Sequence, residues 1–225
     1  MFGPDGNFHC PHPAAPTGRA DPVDGGYRLQ GRWPYASGSP YSTWALLGAL
    51  AFPAGGEGPP RMVTVAVPRE QYTVLDDWGD GRVIGMNSSG SNTIVVDDVF
   101  VPEHHMIDFN MYTPPTPSVG FQLHRNPMYL WRIAGPYHAS LVAPVVGAAR
   151  AALDEFRDLA ATKPTTFLPL VPRYQFHEDQ RAFGLATAKA DAAEAILYAF
   201  AGQYRDAVHR WAQTGEELTV DQDAR

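Results

Sequence analysis

The sequence predicts a multidomain α and β protein: a β-barrel or sandwich over residues 25–108, then part of a helical bundle over 128–225. Short apolar or alternating segments bounded by Gly, Pro and Asp recur through the first half, the pattern of many short strands in one β-domain. The second half holds two long stretches, Pro136–Ala161 and His177–Gln213, that read as helices; in the second, apolar residues recur at three- and four-residue steps. Between the halves stands Thr113-Pro114-Pro115-Thr116-Pro117, which breaks regular structure, so 109–127 is a predicted linker.

Residues 1–24 are rich in Pro, Gly, Ala and Asp, which predicts an irregular lead. Within it, His9, Cys10 and His12 are crowded more closely than metal ligands usually are, so a disordered tail is the better reading. A Gly25-Gly26 turn feeds the first strand, Tyr27–Tyr35. Tyr27, Leu29 and Gly31 face one way and Arg28, Gln30 and Arg32 the other. Pro34 bars a central ladder position. Next comes Ser37-Gly38-Ser39-Pro40, a small-residue corner that lets a flat ligand approach the backbone. Trp33 and Tyr35 beside these hydroxyls suit a planar ring with polar edges; an ordinary strand end fits the same residues.

Thr43–Phe52 is almost wholly apolar and reads as a strand buried on both faces. Pro53–Pro60 is a loop of strong breakers. Met62–Val67 is β-branched and stopped by Pro68. Tyr72–Leu75 is short and leads into the Asp76–Gly81 turn. Thr93–Val101 is the last strand. His104 and His105 are adjacent; on an extended segment their rings point apart, so an exposed loop is expected there rather than a metal site.

In the first helix Pro144 removes one intrahelical bond and predicts a kink. The second helix carries one apolar stripe through Phe183, Ala186, Ala190, Leu197, Ala201, Tyr204, Val208 and Trp211, as expected of a core or a subunit interface. Thr219 followed by Gln222 is a capping box, so a helix is predicted to begin at Thr219. Arg225 is the last residue given, too soon for such a helix to hold alone. With the short lead, this gives the expectation of an internal fragment of a protein nearer twice the length.

Formal net charge is −7 over 225 residues, which argues against a nucleic-acid binder. One cysteine excludes an internal disulfide framework and fits a reducing compartment. No apolar run spans a membrane, and the first residues lack a signal pattern. A cytoplasmic protein is expected.

Two blocks carry a family resemblance. The first is Gly25-Gly26-Tyr27-Arg28 continuing through Gly31-Arg32-Trp33, Tyr35 and Ser37-Gly38. The second is Asp76-Asp77-Trp78, then Gly85–Thr93 and Val95–His104, with Gly90-Ser91-Asn92 and Val99-Phe100-Val101-Pro102 inside it. Together they resemble the middle β-barrel domain of the acyl-CoA dehydrogenase superfamily, and within it the flavin-dependent monooxygenase branch, the oxygenase components of two-component aromatic hydroxylases. The resemblance implies an oxidoreductase and flavoprotein with a middle β-barrel and a C-terminal helical bundle. It implies flavin contact at Trp33, Tyr35, Ser37 and Gly38, with the Ser37 hydroxyl as a donor near flavin N5. Ser89, Ser91 and Asn92 would line the substrate side or cap a turn. The cofactor would be reduced FMN or FAD from a separate flavin reductase, the substrate a small aromatic or polycyclic molecule, and the assembly a homotetramer packed through the C-terminal helices.

Departures from the family pattern also bear on function. Ala36 replaces a Thr usual in the dehydrogenase branch, which favours the monooxygenase. Asn87 stands where relatives often have a basic residue, which removes an anion partner. The monooxygenase branch implies a His near the C-terminus, which no segment here matches; His138, beside Tyr137, is the internal candidate and equally a packing residue. An acyl-CoA dehydrogenase-like enzyme oxidising an acyl thioester is the alternative. It would need a catalytic Glu, and Glu155, Glu178 and Glu194 lie in no matching motif. A non-catalytic interaction module is the third reading.

Overall fold

Period-two alternation becomes a seven-stranded sheet in the computed structural model, which describes residues 6–108, 118–219 and 222. The chain forms two units, Met1–Asn110 and Met111–Arg225. The predicted Thr113–Pro117 breaker run lies outside the described residues, as do Val220 and Asp221 of the capping box.

The first unit contains β1 (Gly18–Val23), β2 (Gly26–Trp33), β3 (Trp44–Ala51), β4 (Arg61–Pro68), β5 (Thr73–Val74), β6 (Ile94–Pro102) and β7 (Met106–Asp108). Their order across the sheet is β5-β6-β2-β1-β3-β4-β7. The expected barrel is therefore corrected to an open sheet. Its edge strands β5 and β7 are only two and three residues long, and they do not pair with each other among the described residues.

The lead is more ordered than its composition predicts. Its end forms β1, antiparallel to β2 from Arg19↔Gln30 to Val23↔Gly26 and parallel to β3 only over Gly18–Ala20. Pro22 lies beyond that second pairing, where a missing N–H is tolerated. Ahead of β1, the carbonyls of His9, Pro11 and Pro13 accept from Thr43, Leu46 and Gly48 at 2.9, 3.0 and 3.3 Å. The two prolines serve as acceptors without being able to donate, so this segment docks on β3 without forming a full ladder. Cys10 is half-buried there, and desolvation pushes its thiol up to about 11.

Trp33 anchors the core. It is fully buried, and its indole N–H donates to the Gly48 carbonyl at 2.6 Å. The ring lies so close to β1 and β2 that a Cβ at Gly18 would stand 2.1 Å from it, and one at Gly31 2.9 Å. Leu29, Leu47, Val63, Val65, Val67, Ile94 and Val101 are among the other buried members of the cluster. After β6, Glu103–His105 is a 3-10 turn. The turn overrides the expected divergence of His104 and His105: their rings meet edge-to-face at 4.6 Å, and His105 also packs on Trp44 at 5.4 Å.

The second unit contains α1 (Val119–His124), α2 (Ala134–Thr162) and α3 (His177–Thr214). α1 falls inside the predicted linker, started by the Ser118 hydroxyl accepting from the Phe121 N–H at 3.2 Å. α2 continues through Pro144. Arg150 joins α2 to α3 by pairing with Glu194 and, at 2.5 Å, with Asp191; Phe156 stacks on Phe183 at 5.8 Å. Part of the predicted stripe, Tyr204, Val208 and Trp211, forms a small core with Leu130 and Leu218. The capping box closes reciprocally: Thr219 N donates to Gln222 Oε1 at 2.9 Å, and Gln222 N donates to Thr219 Oγ1 at 3.2 Å. No helix among the described residues is long and apolar enough to cross a membrane.

Two glycine substitutions should separate packing from propensity. Gly31→Ala drives a methyl to 2.8 Å from the Gly18 backbone and should destabilise by about 1–3 kcal/mol. Gly184→Ala, with nothing within 4 Å on exposed α3, should stabilise by about 0.5–1 kcal/mol. Urea unfolding followed by tryptophan fluorescence and far-UV circular dichroism reads both.

Candidate functional site

The site grows from one strand pair. β2 and β6 are antiparallel, with Trp33 opposite Ile94. The segment leaving β2 and the segment entering β6 therefore run on side by side. Ala36 N donates to Asn92 O at 3.2 Å and Gly38 N to Ser89 O at 2.8 Å; Ser39 Oγ donates to Gly90 O at 3.3 Å. Gly38 takes φ 78° and ψ 6° to open the 3-10 turn Ser39–Tyr41, a left-handed conformation that glycine adopts without strain. A second 3-10 turn, Asn87–Ser89, faces it.

The side chains extend this zipper. Ser37 Oγ lies 2.8 Å from Ser91 Oγ, and Ser91 Oγ lies 2.8 Å from Ser89 Oγ. Ser89 Oγ donates to the Met86 carbonyl at 2.8 Å. Ser37 is exposed, whereas Ser91 is buried. The buried Asn92 accepts at Oδ1 from Trp78 N at 2.9 Å and Asp77 N at 3.3 Å. Asp77 in turn accepts from Thr93 N at 2.8 Å. Its carboxyl is held below its ordinary value of 3.8, first by the hydrogen bond from the Thr93 side chain. Trp78 donates its indole N–H to Met86 O at 3.1 Å and meets Tyr35 edge-to-face at 6.0 Å. Tyr35, at φ 60°, is 72% exposed.

Of the residues singled out from sequence, Tyr35, Ser37, Gly38, Ser89, Ser91 and Asn92 come together on this corner. Trp33 does not join them. With no exposed surface it offers nothing to a ligand, because its ring is spent on the two strand glycines and the Gly48 carbonyl. Ala36 is likewise fully buried, whereas Tyr35 and Ser37 are the exposed pair. Asn92 uses its side-chain oxygen to hold the Asp77-Trp78 turn.

His138 belongs to the helical unit. It is exposed on α2, with Nδ1 bonded to its own helix at Ala134 O, 2.7 Å away. Glu194 is engaged by Arg150 and Glu178 by Arg181. Among the described residues no three His, Cys, Asp or Glu side chains gather as a metal site.

Sequence reasoning missed two features of the corner. One is the Asn92–Asp77 latch; the other is the hydroxyl chain, whose only trace in sequence is the period-two spacing of Ser89 and Ser91.

Residues 139–225 match the family described as acyl-CoA dehydrogenase, C-terminal domain. The chain is 38% identical over 188 residues to a pigment production hydroxylase of Rhodococcus sp. (strain ATCC 21145), covering 83% of this chain and 46% of that protein. It is 36% identical over 145 residues to the oxygenase component of an FADH2-dependent resorcinol hydroxylase from Rhizobium sp. (strain MTP-10005), covering 64% and 34%. A solved structure of XiaF from Streptomyces sp., in complex with FADH2 and glycerol, is 27% identical with a TM-score of 0.79, covering 95% of this chain and 51% of that one.

The helical unit thus matches the acyl-CoA dehydrogenase C-terminal family, and over most of its length the chain is similar to hydroxylases and to oxygenase subunits of flavin-dependent monooxygenases. The chain spans about half the length of the relatives it matches, or less. The family domain match covers the helical unit alone; the corner on β2 and β6 lies outside it.

The Asn92 latch carries a prediction. Asn92→Ala orphans two backbone N–H groups and should destabilise the first unit by about 1–3 kcal/mol. Asp77 adds a pH signature. Its carboxyl is depressed on folding, so its stabilising contribution is complete above pH 3.8 and is lost as pH falls through the folded value below that. Asp77→Asn should flatten this acid limb, read by Trp78-sensitive emission between pH 5 and pH 2. An unchanged limb would mean that Asp77 does not hold the turn.

Proposed function

We propose that the protein is the oxygenase component of a two-component flavin-dependent monooxygenase, hydroxylating a small aromatic or polycyclic substrate with O2 and reduced FMN or FAD delivered by a separate flavin reductase. The observation that carries this reading is the zipper joining Tyr35–Ser39 to Ser89–Asn92. It places an exposed ring, a hydroxyl and a side-chain-free glycine on one corner, in a chain whose relatives are named as hydroxylases. That arrangement fits a planar, polar-edged ring. Ser37 would meet the flavin at N5, the open space above Gly38 lets the ring approach the backbone, and Tyr35 supplies an aromatic wall.

When bound, reduced flavin supplies the two electrons that take O2 to one oxygen atom for the ring hydroxyl and one for water. The chain's own residues position and shield that chemistry. Ser37 holds one ring edge, and the Asn92–Asp77 latch fixes the turn carrying Trp78 against Tyr35. Fixed hydrogen-bond partners act strongly where water is excluded. The same reading includes a homotetramer and a cytoplasmic location, the latter in keeping with the single free Cys10.

An anaerobic titration with reduced and oxidised FMN and FAD tests the reading. Preferential binding of a reduced flavin is expected, and Ser37→Ala should weaken it by about 5–10-fold, the worth of one hydrogen bond. Tight binding of oxidised FAD with oxidation of an acyl thioester would replace the monooxygenase with a dehydrogenase. No binding of either flavin to a folded chain would count against placing the ligand on this corner.

A further inference from the structure

The hydroxyl chain on the corner has a direction. A carbonyl only accepts, so the 2.8 Å contact between Ser89 Oγ and Met86 O consumes the Ser89 hydrogen. Each serine hydroxyl has one hydrogen to give. The 2.8 Å contact between Ser89 and Ser91 is then filled by the Ser91 hydrogen. The 2.8 Å contact between Ser91 and Ser37 is left to the Ser37 hydrogen. Reversing any link would leave one of these short oxygen–oxygen contacts without a hydrogen between its atoms. All three hydrogens therefore point inward, and the exposed end of the chain presents lone pairs only.

We infer that Ser91 and Ser89 are positioning residues that lock Ser37 as a hydrogen-bond acceptor, so that the corner takes a ring N–H and disfavours a bare ring nitrogen. This rests on the proposed function, in which Ser37 meets flavin N5. In reduced flavin N5 carries a hydrogen; in oxidised flavin it carries a lone pair. The corner thus distinguishes the two redox forms at one atom. Selectivity for reduced flavin lies in the buried serine behind Ser37 as much as in Ser37 itself. The expectation that Ser37 acts as a donor is replaced by its opposite, because its only hydrogen is already committed to Ser91.

Breaking the chain frees that hydrogen. In Ser91→Ala the Ser37 hydroxyl can rotate and donate to oxidised N5. In Ser89→Ala the hydrogen of Ser91 can turn to Ser37 and release it in the same way. The measurement is the ratio of dissociation constants for oxidised and reduced flavin, obtained anaerobically with FMN and with FAD, together with the potential of the bound flavin. The wild-type chain should favour the reduced form. Ser91→Ala should cut that preference about tenfold, lowering the bound potential by about 30 mV. Ser91→Thr, which keeps a hydroxyl, should restore it. In a Ser37→Ala background, Ser91→Ala should change the ratio no further.

An unchanged ratio in Ser91→Ala overturns the inference. So does an equal loss of affinity for both redox forms, which is what a merely structural role would produce, or the same ratio change when Ser37 is absent. If Ser91→Ala fails to fold by circular dichroism, Ser89→Ala, at a half-buried position, carries the same prediction. Failure of the underlying reading looks different. Ser37→Ala would then leave both affinities at wild-type values, or the wild-type chain would bind neither form, and the inference would fall with it.

Discussion

The first unit depends on the burial of one indole ring. Trp33 lies at the end of β2, covers Gly18 of β1 and Gly31 of its own strand, and donates to the Gly48 carbonyl on β3. One side chain thereby ties three strands together. Truncating such a residue typically costs about 3–5 kcal/mol, a large part of the margin by which a domain is stable. Both glycines follow from it, since any Cβ there would occupy the volume of the ring. After Pro34 the extended backbone is interrupted at Tyr35, whose φ of 60° breaks the alternation, so that Tyr35 is exposed, Ala36 buried and Ser37 exposed.

That inward–outward sequence links packing to chemistry. The core fixes the last residue of β2 opposite the first of β6, and the two departing segments remain zipped by backbone bonds. Residues 54 positions apart in the chain, Ser37 and Ser91, therefore share a hydrogen bond. The Asn92 side chain then recruits a third segment, Asp77-Trp78, whose indole braces Tyr35. A rigid strand pair with functional groups on the turns leaving it is a common way to hold a ligand precisely while leaving it accessible. The hydroxyl chain adds a constraint of another kind. It stores no large energy, yet it orients one hydrogen, and the orientation of one hydrogen separates a donor from an acceptor.

The helical unit follows separate logic. Arg150 bridges two acids on α3, and α2 has no buried residue among those described, so the pair is joined by a few specific contacts. Tyr204 both accepts from and donates to the backbone of Arg132, which pins the segment before α2 to α3. Such a buried hydroxyl, satisfied twice, fixes geometry at little cost.

Much was legible in the sequence by itself. Alternation and breakers located five of the seven strands, two long helices matched their composition, and the capping box at Thr219 closed as its spacing required. Two motif blocks pointed to the superfamily and to Tyr35, Ser37, Gly38, Ser89, Ser91 and Asn92. These are local properties, set by backbone sterics, side-chain periodicity and residue type. Only the tertiary structure decided the rest. The strand at Gly18–Val23 exists because β2 and β3 supply its partners, which composition cannot report. The sheet is open rather than a barrel because β5 and β7 remain apart. Trp33, aromatic and next to the corner, reads from sequence as a ligand wall, and burial made it a core anchor. The polarity of Ser37 was the least legible feature, since the direction of a hydroxyl is set by what its neighbours have left to accept, and those neighbours meet only after the chain has folded.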